Sequence, residues 1–250
     1  MSDLPLRTAL APRFYRRELA RQRQISRVLQ NAIQPATGMV GEIGEMRVAA
    51  RCRGADRALR IGGDWYLALP LENGDVVLGV GDVVGHGLAA VAAMVGLRYA
   101  TMAYAAEGIP PALILSRLNY LVYGTRGDIT AAAVLAKYRP SLGRLTWARA
   151  GHPPMLLADQ RRVVRLPNPR GPLLGTFSEP PFAQESRQLQ PGQSVVLYTD
   201  GLLGRGPLDR GVDQLADRIA GLSDVAAMLD VLDVSATGDD MCVLAAQRAT

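Results

Sequence analysis

A chain of 250 residues, 48% apolar and 20% charged, carries enough material for one well-filled core, with or without an appendage. Its net charge of +5 does not by itself indicate a nucleic-acid binder: Lys137 is the only lysine among 28 basic residues, the arginines scatter beyond the N-terminus, and aromatic residues for base stacking make up 5%. No apolar run reaches the ~18 residues of a membrane span and the N-terminus lacks the apolar core of a secretory signal, so we expect a cytoplasmic protein with no membrane and no nucleic-acid partner.

Residues 1–12 hold two prolines and no apolar period. From Pro12 to Pro35 the sequence predicts a helix bounded by proline at both ends, with Ile25, Val28, Leu29, Ala32 and Ile33 on one face. Arg13, Arg16, Arg17, Arg21, Arg23 and Arg27 crowd its first half, and two readings stay open: a surface helix with a solvated basic face, or a helix that dimerises or receives a signal. A glycine-rich connector, Thr37–Met46, separates this helix from the remainder of the chain, giving a tail and linker helix (1–37) and a main domain (38–250).

Short strand-like runs come next: "MRVAARCR", "DWYLALPL" and, after a turn at Glu72–Asp75, the continuously apolar "DVVLGVGD". Helices are predicted over Leu88–Ala106 and Pro110–Tyr123, then a hairpin of "ITAAAVLAKY" and "GRLTWARAG" joined by "RPSLG". Further strands fall near 155–158, 162–166, 182–189 and 194–199, helices at Val212–Ala220 and Val225–Leu232, and a last strand at "MCVLAAQ". Consecutive hairpins around a helix pair argue for an α+β fold of antiparallel sheets covered by helices. Cys52 and Cys242 each sit inside a strand-like run and read as reduced core residues, not a disulfide.

Asp82, in "GDVVGHG", ends the most apolar strand, where an uncompensated charge is expensive. It has counterparts: Asp64 in "IGGDWY", Asp200 in "VVLYTDG", and Asp239 and Asp240 in "TGDDM". One aspartate beside glycine is ordinarily a turn residue or a helix cap. Acids at the ends of several strands, if they converge, need neutralising, and no lysine or histidine cluster is present to do it. Oxygen ligands without a cysteine or histidine set select hard ions, Mg²⁺ or Mn²⁺. Two such ions ~3.5–4 Å apart can share a carboxylate and activate water against a phosphoryl group.

The motifs "GGDWY", "GDVVGHG", "AGHPP", "LYTDG" and "GDD", in that order, resemble the bacterial metal-dependent serine/threonine phosphatases of the PPM (protein phosphatase 2C-like) superfamily. The resemblance is to the branch typified by the stage II sporulation protein E and the general-stress phosphatase RsbU, and it covers about residues 20–247. It implies an α-β-β-α sandwich: two antiparallel sheets face to face, helices outside, metals at one end. It further implies that Asp64, Asp200 and Asp239 hold one of two Mn²⁺ or Mg²⁺ ions, that Asp82 bridges both, and that the Val83 carbonyl completes the second. Asp240, Gly63, Gly85 and Gly201 would lie just behind these ligands. The implied reaction is hydrolysis of phosphoserine or phosphothreonine by a metal-bridged hydroxide, with no phosphoenzyme. The implied substrate is a phosphorylated STAS-domain anti-anti-sigma factor in a partner-switching pathway.

His86 is a candidate for phosphate contact or for protonating the leaving oxygen. His152 reads as a residue that fixes its loop through a backbone hydrogen bond, and Arg60 as a bidentate phosphate ligand or a solvated surface arginine. The chain departs from the family pattern at Leu67, where relatives often have an acid, and at "DIT", Asp128–Thr130. Only about 35 residues precede the connector where relatives often carry a sensory domain, so either signal input is expected from another protein or the chain is a cut or minimal version; the Arg13–Ile33 helix is expected to form a homodimer or bind an activator. The competing functions are a catalytically weak or inactive adaptor on the same fold, a basic nucleic-acid binder whose aspartates are structural, and a metal-dependent nucleotidyl transferase, against which the lack of a Gly-rich Lys motif of the P-loop kind counts.

Overall fold

In the computed structural model the described residues are 39–54, 62–124, 129–204, 206–232 and 239–249. The predicted linker helix, the boundary at residue 37 and Arg60 lie outside them. In chain order the elements are β1 (Met39–Ile43), β2 (Met46–Arg53), β3 (Trp65–Pro70), β4 (Val76–Val83), α1 (Leu88–Ala106), α2 (Pro111–Gly124), β5 (Ala131–Arg139), β6 (Arg144–Ala150), β7 (Leu156–Ala158), β8 (Val163–Arg165), β9 (Gln184–Gln188), β10 (Ser194–Tyr198), α3 (Leu208–Ile219), α4 (Val225–Leu232) and β11 (Met241–Arg248).

The strands form two sheets, ordered β1-β2-β11-β10-β7-β8 and β3-β4-β5-β6-β9, with every neighbouring pair antiparallel. Alternation dictates which side chains meet between them. Val48 and Ala50 of β2, Val195 and Leu197 of β10 and Leu244 of β11 face Tyr66, Leu78, Val80, Val134 and Trp147 of the other sheet, and this layer is the main core. The opposite face of the first sheet, with Val196, Tyr198 and Val243, packs under Val212, Leu215 and Ile219 of α3 and Met228 and Leu229 of α4. On the second sheet α1 lies over β3 and β4, and α2 over β5 and β6. The α+β sandwich implied by the motifs is therefore the observed architecture. By length and apolar composition α1 would pass for a membrane span, yet Val91, Met94 and Leu97 are buried in its contact with the sheet.

Three expectations are corrected. The supposed connector 37–46 contains β1, which pairs in register with β2 because Met39 and Ile43 reach the core on alternate positions; Gly44, at φ 56°, makes the tight turn between them. Helix α3 begins at Leu208, not Val212, because Pro207 supplies its extended entry and Arg165 of β8 binds both Asp209 and Asp213 in its first turns. Cys52 and Cys242, expected to be reduced, lie directly opposite across β2 and β11 with Cα atoms 4.1 Å apart, and a disulfide joins them. A separation of 190 residues along the chain hides this pairing. The predicted turn at Glu72–Asp75 is present, and Asp75 at its end is buried and pairs with Lys137 and Arg139 of β5.

Candidate metal centre

The register of β3 with β4 sets the first two acids against each other. Trp65 is opposite Gly81, and the amide of Val83 donates to the carbonyl of Gly63 at 3.2 Å, so one more step of the same ladder places Asp64 against Asp82. The glycines of "LGVGD" permit this. A Cβ on Gly81 would come within 2.5 Å of the Trp65 ring, so the indole lies directly over that glycine and fixes the hairpin end. Gly63 is equally constrained: a Cβ there would lie 2.5 Å from the Val83 carbonyl oxygen and 3.4 Å from the Asp82 carboxylate.

The other sheet supplies the remaining acids through the β10–β11 pair. Thr199 donates its amide to the Cys242 carbonyl, and its Oγ1 accepts the Cys242 amide at 2.8 Å. The same hydroxyl donates across to Asp64 Oδ2 at 2.7 Å, which couples the two sheets. Asp200 follows in a short 3₁₀ turn, and Gly201 lies so close to Asp240 that a Cβ would meet its carbonyl oxygen at 1.9 Å. Asp240 in turn accepts the Gly63 amide at 2.8 Å, and its own amide donates to Asp239 Oδ1 at 2.9 Å. Asp64 is buried, Asp82 and Asp240 half-buried, and Asp200 and Asp239 exposed.

These groups feel one another. Burial raises the carboxyl of Asp64 well above its ordinary range, and the neighbouring Asp82 charge adds to this, while the Thr199 hydrogen bond opposes it. Asp82 is pushed up to about 6, first by burial and then by the charges of Asp200, Asp240 and Asp239, with its hydrogen bond to Asp64 acting the other way. Among the described residues no cationic side chain pairs with Asp64, Asp82, Asp200 or Asp239. The donor set is all oxygen, which fits hard divalent cations. Among the described residues no three carboxylates are drawn close enough to close on one ion. The acids ring one rim of the sandwich.

A cavity of about 470 Å³ opens from Asp82, Thr199 and Asp200 toward Arg149, His152 and Asn168. Arg149 of β6 is held by its own donors: Nε to the Pro169 carbonyl at 3.1 Å and one terminal nitrogen to the His152 carbonyl at 2.7 Å. His152 lies 3.0 Å through Nδ1 from the Pro153 carbonyl, and since a carbonyl only accepts, Nδ1 carries the proton. Burial lowers this imidazole to about 4, so it is neutral, and its buried Nε2 has no hydrogen-bond partner among the described residues. The loop-fixing role expected of His152 matches this bond.

The loop after β4 carries Gly85 and Gly87 at φ 117° and 79°, conformations that favour glycine and turn the chain away from Asp82 into α1. His86, between them, is exposed, and the cavity wall takes Val84 from this loop instead. Sequence reasoning missed Thr199 and Arg149. Thr199 precedes an aspartate at the end of an apolar strand, a signal that was present; nothing in the sequence tied Arg149 to Asp82.

The sequence model of the family described as "Stage II sporulation protein E (SpoIIE)" matches residues 72–249, well over half the chain. The chain belongs to the SpoIIE family. The resemblance read from its motifs is thereby confirmed. Among characterised relatives, the phosphoserine phosphatase RsbU of Bacillus subtilis (strain 168) is 26% identical over 147 residues, covering 58% of this chain and 44% of RsbU. The chain thus spans less than half the length of that relative. The crystal structure of the RsbU and RsbW domains of Rv1364c from Mycobacterium tuberculosis superposes with a TM-score of 0.75 at 27% identity, covering 85% of this chain and 62% of that one. RsbX, solved in complex with magnesium, shares the fold at a TM-score of 0.68 and 17% identity, covering 84% of this chain and 98% of RsbX.

Proposed function

We propose that this SpoIIE-family chain is a metal-dependent protein serine/threonine phosphatase. The observation that carries the reading is the gathering of Asp64, Asp82, Asp200 and Asp239 at one rim with no cationic side chain to neutralise them among the described residues. In this reading Asp64, Asp82, Asp200 and Asp239, with the Val83 carbonyl, would be the oxygen donors for divalent cations, Mn²⁺ or Mg²⁺, once the carboxylates draw together. Bound cations of this kind lower the pKa of water and offset charge on phosphoryl oxygens.

The chain's own groups do the rest. Thr199 orients Asp64 through its 2.7 Å hydrogen bond, and the Gly63 amide holds Asp240 behind the ligands. Trp65 over Gly81 keeps the strand ends from shifting. The cavity beside Asp82 and Asp200 receives the phosphoserine side chain, and His86, exposed on the adjoining loop, contacts phosphate or protonates the leaving oxygen. The substrate in this reading is a phosphorylated STAS-domain regulator of a partner-switching pathway. Residues 1–37 act as the linker through which a second copy or an activator engages the domain that begins at 38.

Hydrolysis of p-nitrophenyl phosphate, and release of phosphate from a phosphorylated STAS protein, should require Mn²⁺ or Mg²⁺ and vanish in EDTA. Asp82→Ala and Asp200→Ala should each abolish turnover with the fold intact. The second reading, an inactive adaptor of the same fold, is favoured by the open spacing of the carboxylates. Metal-independent binding of the phosphoprotein without turnover would establish it.

A further inference from the structure

Two cavities meet at Arg149. The first, about 470 Å³, is the one that opens from Asp82 and Asp200. The second, about 620 Å³, is walled by Arg170, Phe177, Glu179 and the Pro180–Pro181 pair. Arg149 lines both, and the segment 168–173 serves both: Asn168 and Leu173 face the first cavity, Arg170 and Pro172 the second. We propose that the two form one groove for the polypeptide that flanks the phosphorylated residue, and that it favours an acidic flank. The proposal rests on the phosphatase reading for where the phosphate sits.

Size is the first argument. Each cavity alone falls within the ~300–1,000 Å³ of ordinary ligand sites, so a phosphoryl group beside Asp82 leaves the rest of the groove for neighbouring residues. Phe177 is 57% exposed although its backbone is tied down by Asn119, whose Nδ2 donates to the Phe177 and Ser178 carbonyls. An exposed aromatic ring on a fixed backbone is a low-entropy anchor. Pro180 and Pro181 present rings and no N–H.

Charge decides the occupant. Arg149 and Arg170 outnumber Glu179 along this wall. Arg149 is already locked by the Pro169 and His152 carbonyls, so it meets an anion without further ordering. Past the carboxylate rim, the path therefore suits acidic side chains. Lysine or arginine there would be repelled.

The test uses the full chain and two fluorescein-labelled phosphoserine peptides, one flanked by aspartate and glutamate, one by lysine, read by anisotropy with p-nitrophenyl phosphate turnover in Mn²⁺ measured in parallel. The acidic peptide should bind about tenfold more tightly. Arg170→Glu should erase that preference, and Phe177→Ala should weaken both peptides by about tenfold. Both side chains are exposed, so turnover of the small substrate should be unchanged. No binding, equal affinity for the two peptides, or affinities unmoved by both substitutions would overturn the groove even if small-substrate turnover is normal. Peptide binding that depends on Arg170 and Phe177, without any metal-dependent turnover, would uphold the groove and overturn the phosphatase reading.

Discussion

Replacing Thr199 with valine keeps the shape of the side chain and removes only its hydroxyl. That hydroxyl donates to Asp64 Oδ2 at 2.7 Å and accepts the Cys242 amide at 2.8 Å, and both partners are buried. Valine strands an acceptor and a donor together. Each buried unsatisfied group costs about 1–3 kcal/mol, so the substitution should destabilise the protein by about 3 kcal/mol. In a domain of this size that is a fall in Tm of roughly 6–12 °C. Serine restores both hydrogen bonds and loses a methyl, so Thr199→Ser should recover most of the difference. The measurement is chemical and thermal unfolding in EDTA, where cation binding contributes nothing. A valine variant as stable as wild type, or a serine variant as damaged as the valine one, would refute the view that this hydroxyl couples the sheets.

Asp82→Asn should raise stability while removing activity. Because the folded Asp82 carboxyl sits at about 6, above its ordinary 3.8, the native state binds more protons than the unfolded one between those values, and the metal-free protein carries the penalty in full above pH 6. In EDTA the variant should exceed wild type by about 1–3 kcal/mol near pH 7.5, and the two should converge as pH falls toward 4. A constant difference across that range would sink the assignment. His152 has the opposite sign: its folded value of about 4 lies below the usual 6.5, so stability is full above 6.5 and is lost on acidification toward 4, a loss that His152→Phe should abolish in urea titrations at pH 5 and 7.5. Gly63→Ala drives a Cβ to 2.5 Å from the Val83 carbonyl, so metal affinity measured by calorimetry should drop about tenfold or more at a stability cost of about 1–3 kcal/mol; unchanged affinity would show that this close approach is irrelevant to the site. Thiol titration of the denatured, unreduced protein should find no free cysteine, and reduction should lower stability by about 2–5 kcal/mol; two free thiols before reduction would contradict the Cys52–Cys242 bond.

Much of the fold was legible because the relevant signals are local. The continuous apolar run of β4, the alternation in β2, the turn at 72–75 and the proline-led start of α2 each depend on neighbours in sequence. The acids could be picked out singly, each at a strand end beside glycine. What sequence could not supply was long-range register. The opposition of Asp64 and Asp82 depends on Trp65 pairing with Gly81, and the Cys52–Cys242 bond on β2 lying next to β11, facts of sheet order with no local trace. Strand β1 was hidden by Gly41, by the glycines that flank it and by the polar Glu42, which suggest a flexible connector until β2 is present to pair with it. Arg149 escaped for a related reason: its partners are carbonyls, Pro169 and His152, that any residue could offer.

The origin of the four acids has a mechanical consequence. Asp64 and Asp82 hang from one layer, Asp200 and Asp239 from the other, so a cation that engages all of them would work as a clasp across the seam of the laminate. Loading the clasp would then be inseparable from how firmly the two leaves are pressed together. Heat or denaturant that prises them apart should release the ions at the same moment, not before.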